Sequence, residues 1–334
     1  MEQTSPPRES ANDAAYAELY GKLRDALLTV SMQEKRLAVL TRKLQPPRAP
    51  GLPEAVSKIA MLALPERAND GTTTEANPAR TDPPIRLRSN RDQAAQDRLE
   101  SLWKNFPPGT EGAISRIDED FLNAMIDRVR PDRVYEIGVA SGTSSAFILN
   151  SMSTYADPSQ VWLHSYDLAE MCYYSPADPV GVATKLMVPE LLEHWDLQVK
   201  KTVLDVPRDK EPRTLYFIDA NHLHPAPTLD LVALLSRLQP GDYVIFHDIN
   251  LPRLMDGKYP DTGAQWVFDD WPGPRFASAE SIPNIGAIMI PEDKGLIRTF
   301  LTHSLSRPWA DPSPGGPEFL EACEQRLMEF LADI

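Results

Sequence analysis

The sequence predicts an α/β protein built on a doubly wound parallel sheet. Three apolar segments read as strands that stop at a glycine turn or an acidic residue: RVYEIGVASGTSS (133–145), LHSYD (163–167) and LYFIDANH (215–222). A fourth segment, DYVIFHD (242–248), ends in a histidine and an aspartate. Helical patterns alternate with these strands, which predicts right-handed crossovers between parallel strands. Such sheets bind ligands beyond the carboxyl ends of their strands, so the polar ends of all four segments are expected at one site.

The turn after the first of these strands restricts which nucleotide can bind. A dinucleotide-binding turn has the pattern G-x-G-x-x-G, with an acidic residue about 20 positions later. Here Ala140 and Thr143 replace the second and third glycines that would follow Gly138, and the next strand-terminal acid is Asp167. NAD and FAD are therefore disfavoured. Gly138 and Gly142 still allow a sharp strand-to-helix turn, and Asp167 would accept hydrogen bonds from ribose hydroxyls. The alternative is that the two glycines only form a tight turn.

Taken together, these segments resemble class I S-adenosylmethionine-dependent methyltransferases. The resemblance rests on EIGVASGTS, the strand that ends in Asp167, FIDANH, and a turn at 239–241 into VIFHD. It covers roughly residues 100–292 and is greatest for enzymes that methylate hydroxyls of sugars and related natural products, such as macrocin O-methyltransferases, and for cephalosporin hydroxylase-like proteins. It implies a Rossmann-like seven-stranded sheet. The last two strands, near 273–279 and 284–290, would form an antiparallel hairpin at the sheet edge.

The same resemblance implies the cofactor, S-adenosylmethionine, and the residues that hold it. Five residues would line its methionine half: Glu136, Gly138, Ala140, Ser141 and Gly142. Asp167 would hold the ribose, and Asp205 would approach the adenine edge. For Asp205, a solvated loop position is an equal alternative. Replacement of Gly138 by valine is expected to abolish cofactor binding and to leave the fold largely intact.

Methyl transfer to a hydroxyl requires a base, or a metal ion that acidifies the alcohol. Four residues at strand ends suit this work: Asp219, His222, His247 and Asp248. Asp219 and Asp248 end adjacent predicted strands and could both face Mg²⁺. Metal-dependent relatives generally carry another acidic or amide ligand directly beside the second aspartate, and here that neighbour is His247. General-base catalysis by a histidine therefore stays open, with His222 having the better family resemblance.

The expected activity is methylation of a hydroxyl on a sugar, a glycan such as a polysaccharide, or a glycosylated metabolite. One alternative is the same scaffold acting on another acceptor class, as in N-methylation. A second is a non-catalytic coiled-coil interaction protein with a relic cofactor domain, although intact glycines and strand-end acids speak against it. The loops 169–181 and 250–266 are long enough to close over the site.

Composition limits the partners and the compartment. The 334 residues carry a formal net charge of −14, a field that repels nucleic acid and anionic membrane surfaces. The two cysteines, Cys172 and Cys323, lack metal-ligand spacing and indicate a reducing compartment. Neither a signal-peptide pattern nor a long apolar run is present, so we expect a soluble, cytoplasmic protein without an integral membrane segment.

The N-terminal region differs from the rest of the chain in its residue pattern. Residues 1–45 are predicted to form a coiled-coil helix, because apolar side chains repeat every seven residues over 14–44. This repeat predicts a homo-oligomer; the alternative is one amphipathic helix packed on its own domain. A proline-rich flexible linker follows over 46–91, and it contains a short apolar patch at 56–64 of unknown role. The methyltransferase domain is expected over 92–334.

Overall fold

The computed structural model describes residues 82–207, 213–255, 257, 262–311 and 314–332. The coiled coil predicted over 14–44, the apolar patch at 56–64 and the linker up to residue 81 lie outside the described residues.

The described chain contains an eight-stranded sheet. Its strands are β1 (Ile85–Leu87), β2 (Arg133–Ile137), β3 (Leu163–Asp167), β4 (Trp195–Val199), β5 (Thr214–Ile218), β6 (Tyr243–His247), β7 (Arg275–Ser278) and β8 (Ile285–Met289). Their order is β1-β7-β8-β6-β5-β2-β3-β4. β8 is antiparallel to both of its neighbours, and every other pair is parallel. The predicted doubly wound α/β class is confirmed.

The strand β1 corrects two details of the prediction. It lies inside the stretch 46–91 that was predicted to be a flexible linker, and it raises the strand count from seven to eight. Ile85 pairs with Phe276 of β7, and the Arg86 guanidinium donates to the Ser278 carbonyl at 2.8 Å. The antiparallel β7–β8 pair is therefore not at the sheet edge. A three-residue strand is too short for an alternating pattern to reveal it.

Helices cover both faces of this sheet. They are α1 (Gln93–Lys104), α2 (Arg116–Val129), α3 (Thr143–Met152), α4 (Val182–Met187), α5 (Ala226–Leu234), α6 (Leu251–Leu254), α7 (Gly263–Asp270), α8 (Lys294–Leu305) and α9 (Pro317–Ala332). Short 3₁₀ helices form at Pro189–His194 and Val203–Asp205. None of the helices in the described part of the chain is long and apolar enough to cross a membrane.

Alternation along the strands divides the apolar side chains between two cores. In β5, Tyr216 and Ile218 belong to the core that also contains residues of α5, α7, α8 and α9, whereas Leu215 and Phe217 belong to the core with residues of α1, α2 and α3. All four side chains are buried. Because both faces are filled, the carboxyl ends of the parallel strands are left for polar groups.

Candidate active site at the carboxyl ends of the strands

The glycine turn after β2 fits closely against the end of β5. Gly138 has a φ of +87°, and a Cβ built there would lie 2.2 Å from the carbonyl oxygen of Asp219 and 2.7 Å from the Cα of Ala220. The Gly138 amide donates to the Tyr166 carbonyl at 2.9 Å. The protein's own packing thus requires glycine here. The prediction that valine at this position would leave the fold largely intact is wrong, because its side chain would overlap neighbouring backbone.

Asp167, at the end of β3, shapes the same turn. Its Oδ2 accepts hydrogen bonds from the amides of Val139 at 2.9 Å and Ala140 at 3.0 Å, and its Oδ1 accepts from the amide of Ala169 at 2.8 Å. Ala140 has a left-handed φ of +47°, which these bonds help to hold. An ionised carboxylate offers about four acceptor sites, so Asp167 keeps capacity for a ribose hydroxyl. Its role in holding the ribose stays a prediction.

The second half of the turn carries polar atoms without partners. Gly142 has a φ of +85° and caps α3, and its carbonyl accepts from the Thr184 hydroxyl at 2.7 Å. The hydroxyl oxygens of Ser141 and Thr143 on either side of it are buried and have no hydrogen-bond partner. Buried polar atoms normally have partners, so this turn fits a ligand with polar groups.

Glu136 does not line this turn as the resemblance implied. Its side chain is fully buried, and its carboxylate accepts hydrogen bonds from Ser144 at 2.5 Å, Ser145 at 2.5 Å and Ser165 at 2.6 Å. Burial raises the pKa of Glu136 to about 7, and the three serine hydroxyls oppose that rise. Two of these serines lie in the first turn of α3. The carboxylate therefore ties the start of that helix to the sheet.

Asp205 closes a local turn. Its carboxylate accepts from the Thr202 amide at 2.9 Å and from the Lys201 ammonium at 2.7 Å. Burial is the largest influence on the pKa of Asp205 and would raise it, but the hydrogen bonds from Lys201 and Thr202 and the charges of Lys201 and Arg326 together hold the pKa below its ordinary value. These contacts match the alternative of a solvated loop aspartate, and the adenine contact stays a prediction.

The remaining four predicted residues come together beside the glycine turn. Asp219 Oδ1 lies 3.2 Å from His222 Nε2 and 3.2 Å from His247 Nδ1. Asp248 Oδ2 lies 3.2 Å from His222 Nδ1, and Asp248 Oδ1 lies 3.5 Å from His247 Nδ1. Because Gly138 contacts the Asp219 backbone, these side chains border the turn that is predicted to hold the cofactor.

Two further residues, which were not predicted from the sequence, also contact this group. Asp118, in the first turn of α2, places Oδ2 at 3.4 Å from His247 Nε2. Asn284 donates from Nδ2 to Asp248 Oδ1 at 2.6 Å. The pattern Ser115-x-x-Asp118 is a recognisable capping signal, but it marks only a helix start. We call Asp118, Asp219, His222, His247 and Asp248 the acid–histidine cluster.

Attraction between opposite charges in this cluster outweighs the effect of burial on the pKa values of its histidines and of Asp219. Burial opposes the charge on His247, but the carboxylates of Asp219 and Asp248 raise its pKa well above the ordinary value. The pKa of His222 is also raised, since the hydrogen bond to Asp219 and the charge of Asp248 overcome burial. For Asp219, the two histidines overcome burial and hold its pKa far below the usual range. The carboxylates of the cluster therefore favour the protonated forms of both imidazole rings, which in turn favour the ionised form of Asp219.

Part of the cluster could also hold a metal ion. Within the described residues, Asp219, His247 and Asp248 each offer one ligand atom, and these atoms lie within 4.8 Å of one another. Carboxylates suit hard cations such as Mg²⁺, whereas imidazole suits softer divalent ions. The donor set therefore fits a divalent cation, and it fits one that accepts nitrogen better than it fits Mg²⁺.

Comparisons with known proteins agree with this geometry. A family model described as a methyltransferase domain matches residues 135–249. That segment runs from β2 through the end of β6, so it contains the glycine turn and every cluster residue except Asp118. A search of curated proteins finds no match.

Three solved structures are similar to this chain at low identity. Cofactor-bound Rv0187 from MTB is 14% identical, with 61% of this chain and 92% of that chain covered and a TM-score of 0.41. The O-methyltransferase TomG of Streptomyces achromogenes, involved in tomaymycin synthesis and solved with SAM, is 17% identical, with coverages of 60% and 91% and a TM-score of 0.39. An O-methyltransferase from Bacillus cereus, solved with SAH, is 15% identical, with coverages of 60% and 92% and a TM-score of 0.39. Residues 135–249 thus match a methyltransferase-domain model, in agreement with the resemblance that the sequence predicted for this segment.

Proposed function

We propose that this protein transfers the methyl group of S-adenosylmethionine to a hydroxyl of a sugar, a glycan or a glycosylated metabolite. The observation that carries the proposal is the position of the acid–histidine cluster. It borders the glycine turn through the Gly138–Asp219 contact, where a base for the acceptor is needed. The unpartnered hydroxyls of Ser141 and Thr143 support a ligand at that turn.

Methyl transfer requires little covalent chemistry from the protein itself. When bound, the cofactor supplies a methyl group on a sulfonium sulfur, and the acceptor oxygen forms a bond to that carbon as the carbon–sulfur bond breaks. The chain has to align the hydroxyl and to accept its proton. We assign the proton to His222, whose side chain is 25% exposed against 10% for His247. In the neutral form of His222, one of its two ring nitrogens would turn from its carboxylate to the acceptor hydroxyl and take the proton. Asp219 and Asp248, each 3.2 Å from one of these nitrogens, would stabilise the imidazolium that forms.

A metal-assisted version uses the same strand ends. Asp219, His247 and Asp248 would hold a divalent cation, Mg²⁺ or one that tolerates imidazole better. Its chemical contribution would be to acidify the acceptor hydroxyl. The separation of the donor atoms supports this version, and the mutual neutralisation of the histidines and carboxylates supports the version without a metal.

The acceptor class is supported by side chains on the loops next to the site. Tyr173, on the loop after β3, is 65% exposed, and its ring meets that of Tyr174 edge to face with 5.4 Å between centroids. Exposed aromatic faces suit the apolar face of a sugar ring. Arg253, in α6 just beyond Asp248, is also exposed and suits a phosphate or carboxylate on the acceptor.

Assembly and location complete the proposal. Residues 14–44 are proposed to join copies of the chain through their heptad pattern. A reducing location such as the cytoplasm is supported by Cys172 and Cys323, which are both free thiols.

The test combines cofactor binding with transfer. Calorimetry should show binding of S-adenosylmethionine and none of NAD. Glycans from cells with and without the protein, compared by mass spectrometry, should differ by one methyl group. Asp219→Asn should retain cofactor binding and lose transfer, whereas Asp196→Asn should retain both. Asp196 is a matched control because it also pairs with a histidine, His164, at 3.0 Å on the edge strand β4. Full transfer by Asp219→Asn, or binding of NAD alone, would contradict the proposal.

A further inference from the structure

A third carboxylate reaches the acid–histidine cluster from outside the strand ends. Asp118 belongs to the first turn of α2, and its Oδ2 faces His247 Nε2 at 3.4 Å. The residue is 5% exposed. It contacts the opposite side of the imidazole ring from Asp219, whose Oδ1 lies 3.2 Å from Nδ1. Both nitrogens of His247 are thus contacted by carboxylates that come from different elements of the fold.

The position of Asp118 is held by the helix start itself. Its Oδ2 accepts from the Ser115 hydroxyl at 2.7 Å and from the Ser115 amide at 3.1 Å. In return, the Asp118 amide donates to the Ser115 hydroxyl at 3.1 Å, which completes a capping box. This reciprocal pair restricts the Asp118 side chain to one arrangement, so the carboxylate that faces His247 is pre-positioned.

The two acids that follow Asp118 have other partners. Glu119 forms an ion pair with Arg91, and Asp120 accepts from both Ser89 and Arg91. Those contacts tie the first turn of α2 to the stretch that follows β1. Of three consecutive carboxylates, Asp118 is therefore the one that contacts His247.

The chemistry of a carboxylate determines what this contact does. An ionised carboxylate can only accept hydrogen bonds, so the His247 nitrogen that faces Asp118 must carry a hydrogen. We propose that Asp118 is a positioning residue for His247: it keeps a hydrogen on Nε2 and holds the ring so that Nδ1 faces Asp219 and Asp248. At 3.2 Å and 3.5 Å from those two carboxylates, Nδ1 is the nitrogen that meets the reaction centre.

The proposal rests on the proposed function only for the role of Nδ1 in methyl transfer. Whether Nδ1 binds a metal ion or donates to Asp219, it must be the nitrogen on the side of Asp219. A carboxylate on the far nitrogen that fixes both ring orientation and tautomer is a recurrent arrangement behind working histidines. Asp118 does not touch the acceptor, so its effect passes through the imidazole ring.

Nuclear magnetic resonance of the histidine rings tests the contact directly. The full chain has six histidines, and loss of one signal in His247→Gln identifies His247. Wild type should show a downfield, slowly exchanging proton on Nε2 of His247. Asp118→Asn should lose this signal, whereas Asp120→Asn should keep it. Asp120→Asn is the matched control, because it removes the same charge from the same helical turn without contacting His247.

The outcomes separate this inference from the proposed function. A protected Nε2 proton that persists in Asp118→Asn, or a wild-type ring whose protected proton is on Nδ1 alone, would overturn the inference. The wild-type measurement decides even if Asp118→Asn does not fold. Calorimetry on the same samples should give equal affinities for S-adenosylmethionine in wild type, Asp118→Asn and Asp120→Asn. Failure of wild type to bind the cofactor would overturn the proposed function and leave the ring assignment standing.

Discussion

Gly138→Ala perturbs the contact on which the candidate site depends. The residue has a φ of +87°, and the added Cβ would lie 2.2 Å from the Asp219 carbonyl oxygen. The left-handed backbone costs an alanine about 1–2 kcal/mol, and overpacking a close contact adds about 1–3 kcal/mol. We therefore expect the free energy of unfolding to fall by about 2–5 kcal/mol, a large part of the roughly 5–15 kcal/mol typical of a domain.

Gly241→Ala separates the contact from the backbone strain. Gly241 has nearly the same φ, +89°, but no atom lies within 4 Å of a Cβ built there. The free energy of unfolding of Gly241→Ala should fall only by the cost of the left-handed backbone, about 1–2 kcal/mol. The assay is urea denaturation of both variants and wild type, with the linear extrapolation of unfolding free energy. Equal losses in the two variants would refute the close approach of the glycine turn to β5.

The contact also predicts a functional effect of Gly138→Ala. To reach an ordinary separation of about 3.5 Å, the new Cβ and the Asp219 carbonyl must move apart by about 1 Å. A misplacement of about 1 Å near reacting groups can cost about 100-fold in rate. In the fraction that remains folded, methyl transfer should therefore drop about that much, and Gly241→Ala should transfer at the wild-type rate.

Three other predictions concern a buried acid, the N-terminal region and the base. Glu136→Gln should remove a pH dependence of stability. Burial raises the pKa of Glu136 in the folded state from 4.5 to about 7, so the folded state holds one more proton than the unfolded state between these pH values. As pH rises through that window, wild type should lose stability relative to the variant by up to about 1.4 kcal/mol per pH unit. Parallel urea titrations that coincide at every pH would contradict this. Removal of residues 1–81 should lower the number of chains per particle in sedimentation and keep cofactor binding. Removal of 1–90 also deletes β1, uncovers the edge of β7 and should cause aggregation. An unchanged number of chains per particle in the shorter deletion would exclude the heptads as the oligomerisation element. In chelator-treated protein, methyl transfer should persist and its rate should rise with pH. The reason is that the raised pKa of His222 shifts formation of the neutral, proton-accepting ring to higher pH. Complete loss of transfer that a divalent cation restores would establish the metal-assisted version instead.

Local patterns were sufficient for the main strands and for where they end. β2, β3, β5 and β6 each carry an apolar run that stops at a glycine or a polar residue, and all four form in the sheet. β1 was not predicted, because its three residues, which follow two prolines, are too few to show an alternating pattern. A strand of that length forms because β7 offers a free edge to pair with, and the residues of β7 lie 191 positions away in the chain.

The role of Glu136 shows a different limit. Its neighbourhood in the sequence suggested a cofactor contact, but the pleat of β2 directs its side chain into the protein, where three serines surround it. One of these, Ser165, belongs to the neighbouring strand β3. Side-chain direction follows from strand register, and register is decided by pairing rather than by the motif.

The sequence by itself determined the main strands of the sheet and the polar residues that end them, since these depend on the order of apolar and polar side chains along a short stretch. Only the tertiary structure decided which side chains meet. Asp118 and His247 are 129 positions apart, and Asn284 and Asp248 are 36 apart. Such pairs depend on how whole helices and strands are packed, so no local pattern contains them, and the assembled acid–histidine cluster is a property of the folded chain.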